Sequence, residues 1–197
     1  MKKIIYTIFI FPLILLSQEV SVSDDATITI GTSGTMTVSG DLNTNNTGSI
    51  IIITSRANSG SLIAKAAGND QGRGITLRRE VDGSNEWTLI GIPVTGETSN
   101  DIDDDLRTSG SKSAIGHFDP GEGNGEYVYF NTNAQRQLTN GRGYLVSPDA
   151  SGSIDITGTM SDSDVTYNLE DESGTYGHWN LIGNPFPSYL NMTDDSA

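Results

Sequence analysis

The sequence predicts an all-β protein in which short β-solenoid-like strand repeats are followed by a β-sandwich or jelly-roll-like module. Apolar residues alternate with polar ones over short runs, and the runs are cut by Gly, Asn and Asp, the signature of brief strands and tight turns. Aromatic residues are absent between Ala26 and Glu86 and frequent after it, so the chain changes character along its length. Only 101–107 has the makings of a helical turn.

The element order begins with Met1, Lys2 and Lys3, followed by an apolar run from Ile4 to Leu16 and the small residue Ser17. Two lysines ahead of a short apolar segment and a small residue describe a signal peptide over residues 1–17, with cleavage after Ser17. The run is shorter than the roughly 20 apolar residues of a bilayer-spanning helix, and Pro12 interrupts it, so no transmembrane anchor is expected once it is removed. No Cys follows, which excludes a lipid-anchored N-terminus.

Residues 18–82 are expected to form the repeat segment. Its strands ATITI, TMTV, SIIIIT and SLIAK carry apolar side chains at alternate positions (Ile28 and Ile30, Met36 and Val38, Ile51 and Ile53, Leu62), with Gly31, Gly34, Gly40, Gly48 and Gly60 between or beside them. Stacked solenoid rungs are favoured because each needs only a small apolar wedge and tolerates Thr and Asn facing solvent. The meandering strands of a sandwich are the alternative for 24–66.

Residues 83–197 are expected to form the sandwich-like module. Across the second half of the chain the strands are predicted at 75–81, 86–93, 126–130, 143–147, 153–158, 165–169 and 178–183, with Gly, Asn, Asp and Pro in the turns. The motif Trp-x-Leu-Ile-Gly-x-Pro occurs twice, at Trp87 to Pro93 and at Trp179 to Pro185. The favoured reading places each Trp and Leu in a core, with Gly and Pro ending the strand. The sharper alternative is a duplicated pocket in which the two Trp rings stack on sugars.

Eleven basic residues oppose 25 acidic ones, a formal net charge of −14. Loss of the two N-terminal lysines takes the mature chain to about −16. Such a surface repels phosphate, which argues against nucleic acid as a partner. With no cysteine at all, stability must come from sheet, apolar burial or metal, and thiol chemistry and Cys-based zinc sites are excluded.

No constellation commits the chain to a reaction. There is no Gly-x-Ser-x-Gly turn, no His-Glu-x-x-His and no phosphate-cradling loop leading into a helix; Gly121 to Gly125 reads as a loop. His117 is placed in a turn and His178 on a strand, neither beside an obvious nucleophile. Two carboxylates across a cleft would suffice for glycoside hydrolysis, yet the repeat segment has no aromatic subsites. Calcium is the cofactor that the acids suggest. Asp101, Asp103 and Asp105 have the alternating oxygens that begin an EF-hand loop, but Leu106 takes the place of its Gly and Lys112 that of its final Glu. Asp119, Glu122, Asn124 and Glu126 form a second acidic cluster among flexible glycines. Either could hold calcium with help from backbone carbonyls; a solvated acidic loop is the plainer reading of both.

Three stretches, Gly141-Arg-Gly-Tyr-Leu-Val146, Ile154-Asp-Ile-Thr-Gly-Thr159 and Trp179-Asn-Leu-Ile-Gly-Asn-Pro-Phe-Pro-Ser188, together resemble a module of large secreted and surface proteins of Bacteroidota. The resemblance covers about 26–190. It implies export, often by the type IX route, and a place in an adhesin-like or polymer-associated protein that is longer than these residues. Where such modules continue with an acidic residue and Trp, this chain has Tyr189-Leu-Asn-Met192, so no role for that acid carries over. No catalytic residue is implied. The expected function is thus an exported structural or adhesin-like surface protein without catalytic activity, with a carbohydrate-binding or carbohydrate-cleaving protein as the alternative. The expected partners are extracellular polysaccharide or other surface proteins.

Overall fold

The computed structural model describes residues 20–23, 25–44, 48–64, 74–83, 86–161 and 163–190. The expected signal segment lies outside them. The described chain is all-β, with thirteen strands, one 3-10 turn and no α-helix.

The first seven strands are β1 (Val20–Val22), β2 (Thr27–Ile30), β3 (Thr35–Val38), β4 (Leu42–Thr44), β5 (Ser49–Thr54), β6 (Ser61–Ala64) and β7 (Gly74–Val81). β1, β2, β3 and β5 each pair in parallel with a later strand of this set rather than with the next strand in sequence. β1 lies along β4 with Val20 opposite Leu42, β2 along β5 with Thr27 opposite Ser49, and β3 along β6 with Thr35 opposite Ser61. β5 then pairs with β7, Ile50 opposite Ile75. The Ile-rich alternation forms a strand, but in the opposite phase to the expected Ile51 and Ile53: Ile50 and Ile52 are the fully buried pair on one face of β5. Ser49 bonds Thr27 across the pair, side chain to side chain at 3.0 Å.

The remaining strands are β8 (Thr88–Gly91), β9 (Thr108–Ser109), β10 (Lys112–Asp119), β11 (Glu126–Asn131), β12 (Gly143–Val146) and β13 (Gly152–Thr159). β8 to β12 make a five-stranded sheet in the order β11-β10-β12-β8, with β9 against β10. β13 leaves that sheet and returns to β7, pairing antiparallel from Gly152 opposite Val81 to Thr159 opposite Gly74. The open side of β7 is thereby covered, and the four-stranded sheet β13-β7-β5-β2 draws on both halves of the sequence. Inward residues of both sheets, among them Ile75, Ile90, Ile115, Val146, Ile154 and Ile156, belong to one buried cluster. Each such fully buried aliphatic side chain contributes about 1.5–3 kcal/mol.

Several strand expectations are corrected. Residues 165–169 and 178–183 form no strand; Ile182 makes a single bridge to Arg142. β8 spans four residues, not the eight of 86–93. β10 was not foreseen, because its inward positions include Ser113 and His117 and the apolar alternation is lost. β1 and β4, of three residues each, are too short to register as periodic. The helical turn expected at 101–107 is a 3-10 turn at Asp103–Asp105.

Candidate functional site

The pairing register of the five-stranded sheet sets its two faces. Opposed residues share a face, so Leu89 joins Leu145, Leu145 joins Gly116, Gly116 joins Tyr129, and Phe118 joins Tyr127. This is the outer face, since Ile90, Ile115 and Val146 point the other way and are buried. Trp87 extends it beyond the start of β8, with its ring 5.4 Å from that of Tyr129. The core placement expected for the repeated Trp and Leu is therefore overturned: Trp87 is 49%, Leu89 56% and Trp179 64% exposed. Alternation in Trp87-Thr-Leu-Ile had two possible orientations, and the burial of Ile90 and Ile92 decided it.

The second Trp motif lies across the first. Ile182 bridges Arg142, Gly143 N–H donates to Leu181 O at 2.9 Å, and Gly183 N–H donates to Gly141 O at 2.9 Å. A Cβ on Gly183 would lie 2.6 Å from Gly91 Cα, so the two motifs cross glycine on glycine. That close approach gives a physical reason for Gly in both copies. It also delivers Trp179 and Leu181 to the outer face.

The hairpin tip between β10 and β11 supplies the third wall. Gly125, at φ +90°, has no room for a Cβ, which would sit 2.8 Å from Tyr176 Cβ and 2.9 Å from Phe118 Cζ. Asn124 O accepts the Tyr176 N–H at 3.0 Å, and Tyr176 stands edge-on to Trp179 with centroids 5.6 Å apart. Phe118 and Tyr127 form a second edge-on pair at 5.6 Å. The result is an open groove of about 500 Å³ walled by Leu89, Phe118, Tyr127, Tyr176, Trp179 and Leu181, with Glu126 and Asn180 at its edge. A smaller hollow of about 270 Å³ lies between Trp87, Tyr129 and Lys112. A groove of ring faces and edges with polar groups at its rim suits a flat ligand with both C–H faces and hydroxyl edges.

A family profile described as a domain of unknown function, DUF8693, matches residues 10–195. The chain belongs to the DUF8693 family. No curated protein and no solved structure matches it. The DUF8693 match runs through both the parallel ladders and the five-stranded sheet.

The acidic residues singled out for calcium in this DUF8693 chain do not converge: among the described residues no three His, Asp or Glu side chains form a metal-holding group. Asp101 accepts from the Thr98 N–H and hydroxyl at 3.0 and 2.6 Å, which holds its carboxyl below the usual range. Asp103 accepts from Asn133 N–H at 3.0 Å. Asp105 is raised by burial and by Asp155. In the other stretch Asp119 faces Glu126 across the β10–β11 hairpin and its carboxylate accepts from Gly121 N–H at 2.9 Å, while the backbone carbonyl of Glu122 closes the tip by accepting Gly125 N–H at 2.7 Å. Gly125 and the Asn124 carbonyl seat Tyr176.

His117 stands on β10, not in a turn, and faces inward against Phe130 at 5.5 Å. Burial lowers its pKa, assisted by Arg142, and Asp119 stands 3.9 Å away. His178 lies in a turn, not on a strand, exposed and bonded to Asp171. Neither imidazole bonds a serine hydroxyl among the described residues. Sequence reasoning missed Glu97, which is 2% exposed and follows the buried residues Ile92 and Val94. Its carboxyl accepts from Thr157 N–H of β13 and from Thr98 N–H, and burial pushes its pKa up to about 7. An isolated Glu among small polar residues gives no sequence signal of burial.

Proposed function

We propose that this protein is an exported, adhesin-like surface protein that binds neutral carbohydrate on the aromatic outer face of its five-stranded sheet, and that it acts by binding rather than by cleavage. The observation that carries this reading is the exposure of Trp87, Tyr176 and Trp179 beside Phe118 and Tyr127 on one face. Monomeric soluble proteins rarely leave a contiguous apolar surface of this kind uncovered without a ligand. The charge of −14 selects among glycans, because it opposes a polyanionic chain and leaves a neutral one unaffected. Export follows from the N-terminal lysines and apolar run, and the resemblance to Bacteroidota surface modules agrees with it.

The same reading treats the parallel ladders as successive rungs of a short solenoid. Val20 to Leu42 and Thr27 to Ser49 are both steps of 22 residues, and Thr35 to Ser61 is a step of 26. The Gly74 N–H bond to Thr44 Oγ1 at 2.7 Å continues the stacking toward a third rung. The solenoid then serves as a stem, with the five-stranded, sandwich-like module carrying the binding face.

The test is depletion of the purified protein by insoluble neutral polysaccharides such as cellulose, chitin and mannan, run beside Trp179→Ala and Trp87→Ala. Retention by one polymer, reduced about tenfold by either substitution, corresponds to about 1.4 kcal/mol per ring. Absence of retention on every polymer overturns the glycan reading. New sugar ends released from a polymer would contradict the absence of cleavage.

A further inference from the structure

Arg79 sits where the strand pattern calls for an apolar residue. In β7 the inward positions run Ile75, Leu77, Arg79 and Val81, and Arg79 lies directly opposite Ile154, which is fully buried. Neighbouring Arg78 points outward and is paired bidentately with Asp155 at 2.8 and 2.6 Å. Arg79 has no such partner: no carboxylate within ion-pair distance is found among the described residues, its Nη1 donates to Ser55 O, and its buried Nε has no acceptor. A guanidinium on a core face is costly unless it is paired, and a local break with the global pattern marks a functional position.

The surroundings are built for a guest. A cleft of about 260 Å³ lies between β7 and β8 and is lined by Arg79, Thr54, Leu77, Ile156, Asn184 and Phe186 among others. Thr54 is 5% exposed and its Oγ1 also lacks a partner. The two residues that carry these orphaned, buried atoms both line one cleft. Burial works against the Arg79 charge, Asp82 offsets part of that from beyond ion-pair distance, and Arg56 adds to the cost, so an anion in the cleft would favour the charged guanidinium.

We propose that this cleft binds the carboxylate group of a small ligand, with the Arg79 guanidinium as its charge partner and the Thr54 hydroxyl as a second donor. Arg suits this role because its planar fork of N–H donors matches the two oxygens of a carboxylate. The cleft is separate from the aromatic groove; Leu89 lines both and forms the ridge between them. The assignment therefore does not depend on the glycan reading.

Two sources could bring such a carboxylate, a uronic acid sugar or the C-terminus of a peptide. The experiment titrates the protein with D-galacturonate, with N-acetylglycine and with galactose as the neutral control, following the Arg79 Nε–H signal by NMR. The expected result is a saturable shift of that signal with at least one of the two carboxylates and none with galactose. Galacturonate alone points to the sugar, N-acetylglycine alone to the peptide, and both to a site that reads only the carboxylate. Arg79→Gln should weaken binding at least tenfold and Thr54→Val severalfold. Because Arg79→Gln could perturb the sheet, the wild-type Nε–H shift stands as the primary readout. No saturable shift with either carboxylate, or unchanged binding in a folded Arg79→Gln protein, overturns the proposal.

Discussion

β5 and β8 present the same alternation and put it to opposite uses. In β5 the buried face is Ile50 and Ile52, and the residues paired with them, Ile28 and Ile30 of β2 and Ile75 and Leu77 of β7, are aliphatic. In β8 Ile90 is buried while Leu89 stays 56% exposed, and the largest side chains nearby, Trp87 and Trp179, are outside. Period two reveals that a strand has two faces; it does not say which face the core takes. Side-chain size is a poor guide to that choice when the outer face is a binding surface.

Substitution on the two faces sharpens the contrast most. Ile52→Ala should destabilise the protein by about 2–5 kcal/mol, as expected for a cavity in a packed interior. Leu89→Ala should cost less than about 0.5 kcal/mol, as an exposed site away from the core. Urea denaturation measures both, and equal losses would erase the difference between the faces.

The glycine crossing comes next. Gly183→Ala places a Cβ 2.6 Å from Gly91 Cα and 2.8 Å from Arg142 O, backbone atoms that cannot swing aside. A loss of about 1–3 kcal/mol is expected from this overpacking. Tryptophan emission should shift as Trp179 leaves the groove, and an unchanged spectrum and midpoint would show that the two motifs are not seated together.

Glu97 offers a pH test. Its folded-state value of about 7 lies above the ordinary 4.5, so between those values the folded protein holds a proton that the unfolded chain has lost. Stability should therefore be highest near and below pH 4.5 as far as this group is concerned, and fall as pH rises to about 7. Glu97→Gln keeps an acceptor for the β13 amide and a donor toward Asp101, so it should flatten that fall and raise stability above pH 7 by about 1–3 kcal/mol. Denaturant midpoints measured from pH 4.5 to 8 would refute this if the two proteins ran parallel.

The outward pair Arg78–Asp155 is the smallest case. Both side chains are about 40% exposed, and Asp155→Ala should cost no more than about 1 kcal/mol despite the bidentate geometry. A larger loss by thermal melting would mean that the exposed side of β7 and β13 carries more of the stability than burial suggests.

The sequence made the all-β class readable because apolar residues such as Ile28 and Ile30, or Ile154 and Ile156, repeat every second residue between turn formers, whereas four consecutive Ile at 50–53 left open which pair, Ile51 and Ile53 or Ile50 and Ile52, faces the core. Stacked rungs, the favoured reading of 18–82, pair in parallel as β2, β5 and β7 do, but the sequence could not fix their partners and register, which depend on residues far apart in the chain. β10 escaped because His117 and Ser113 occupy inward positions, and 178–183 was read as a strand although it packs on the sheet through Gly183 rather than joining it. The candidate site was half visible. Both Trp motifs stood out, but their exposure followed from Gly91, Gly143 and Gly183 letting one motif lie over the other, a relation between distant residues. Arg79 was hidden by the adjacent Arg78, because an Arg-Arg pair on a strand must send one guanidinium inward and composition alone gives no reason to notice which.

The central claim is that the aromatic face binds and does not hold the fold together. Trp179→Ala tests it when polysaccharide retention and urea midpoint are measured on the same preparation. The account predicts a midpoint within about 0.5 kcal/mol of the parent together with about a tenfold loss of retention. A protein that unfolds as Ile52→Ala does, yet retains the polymer as before, would place Trp179 in the core and contradict it.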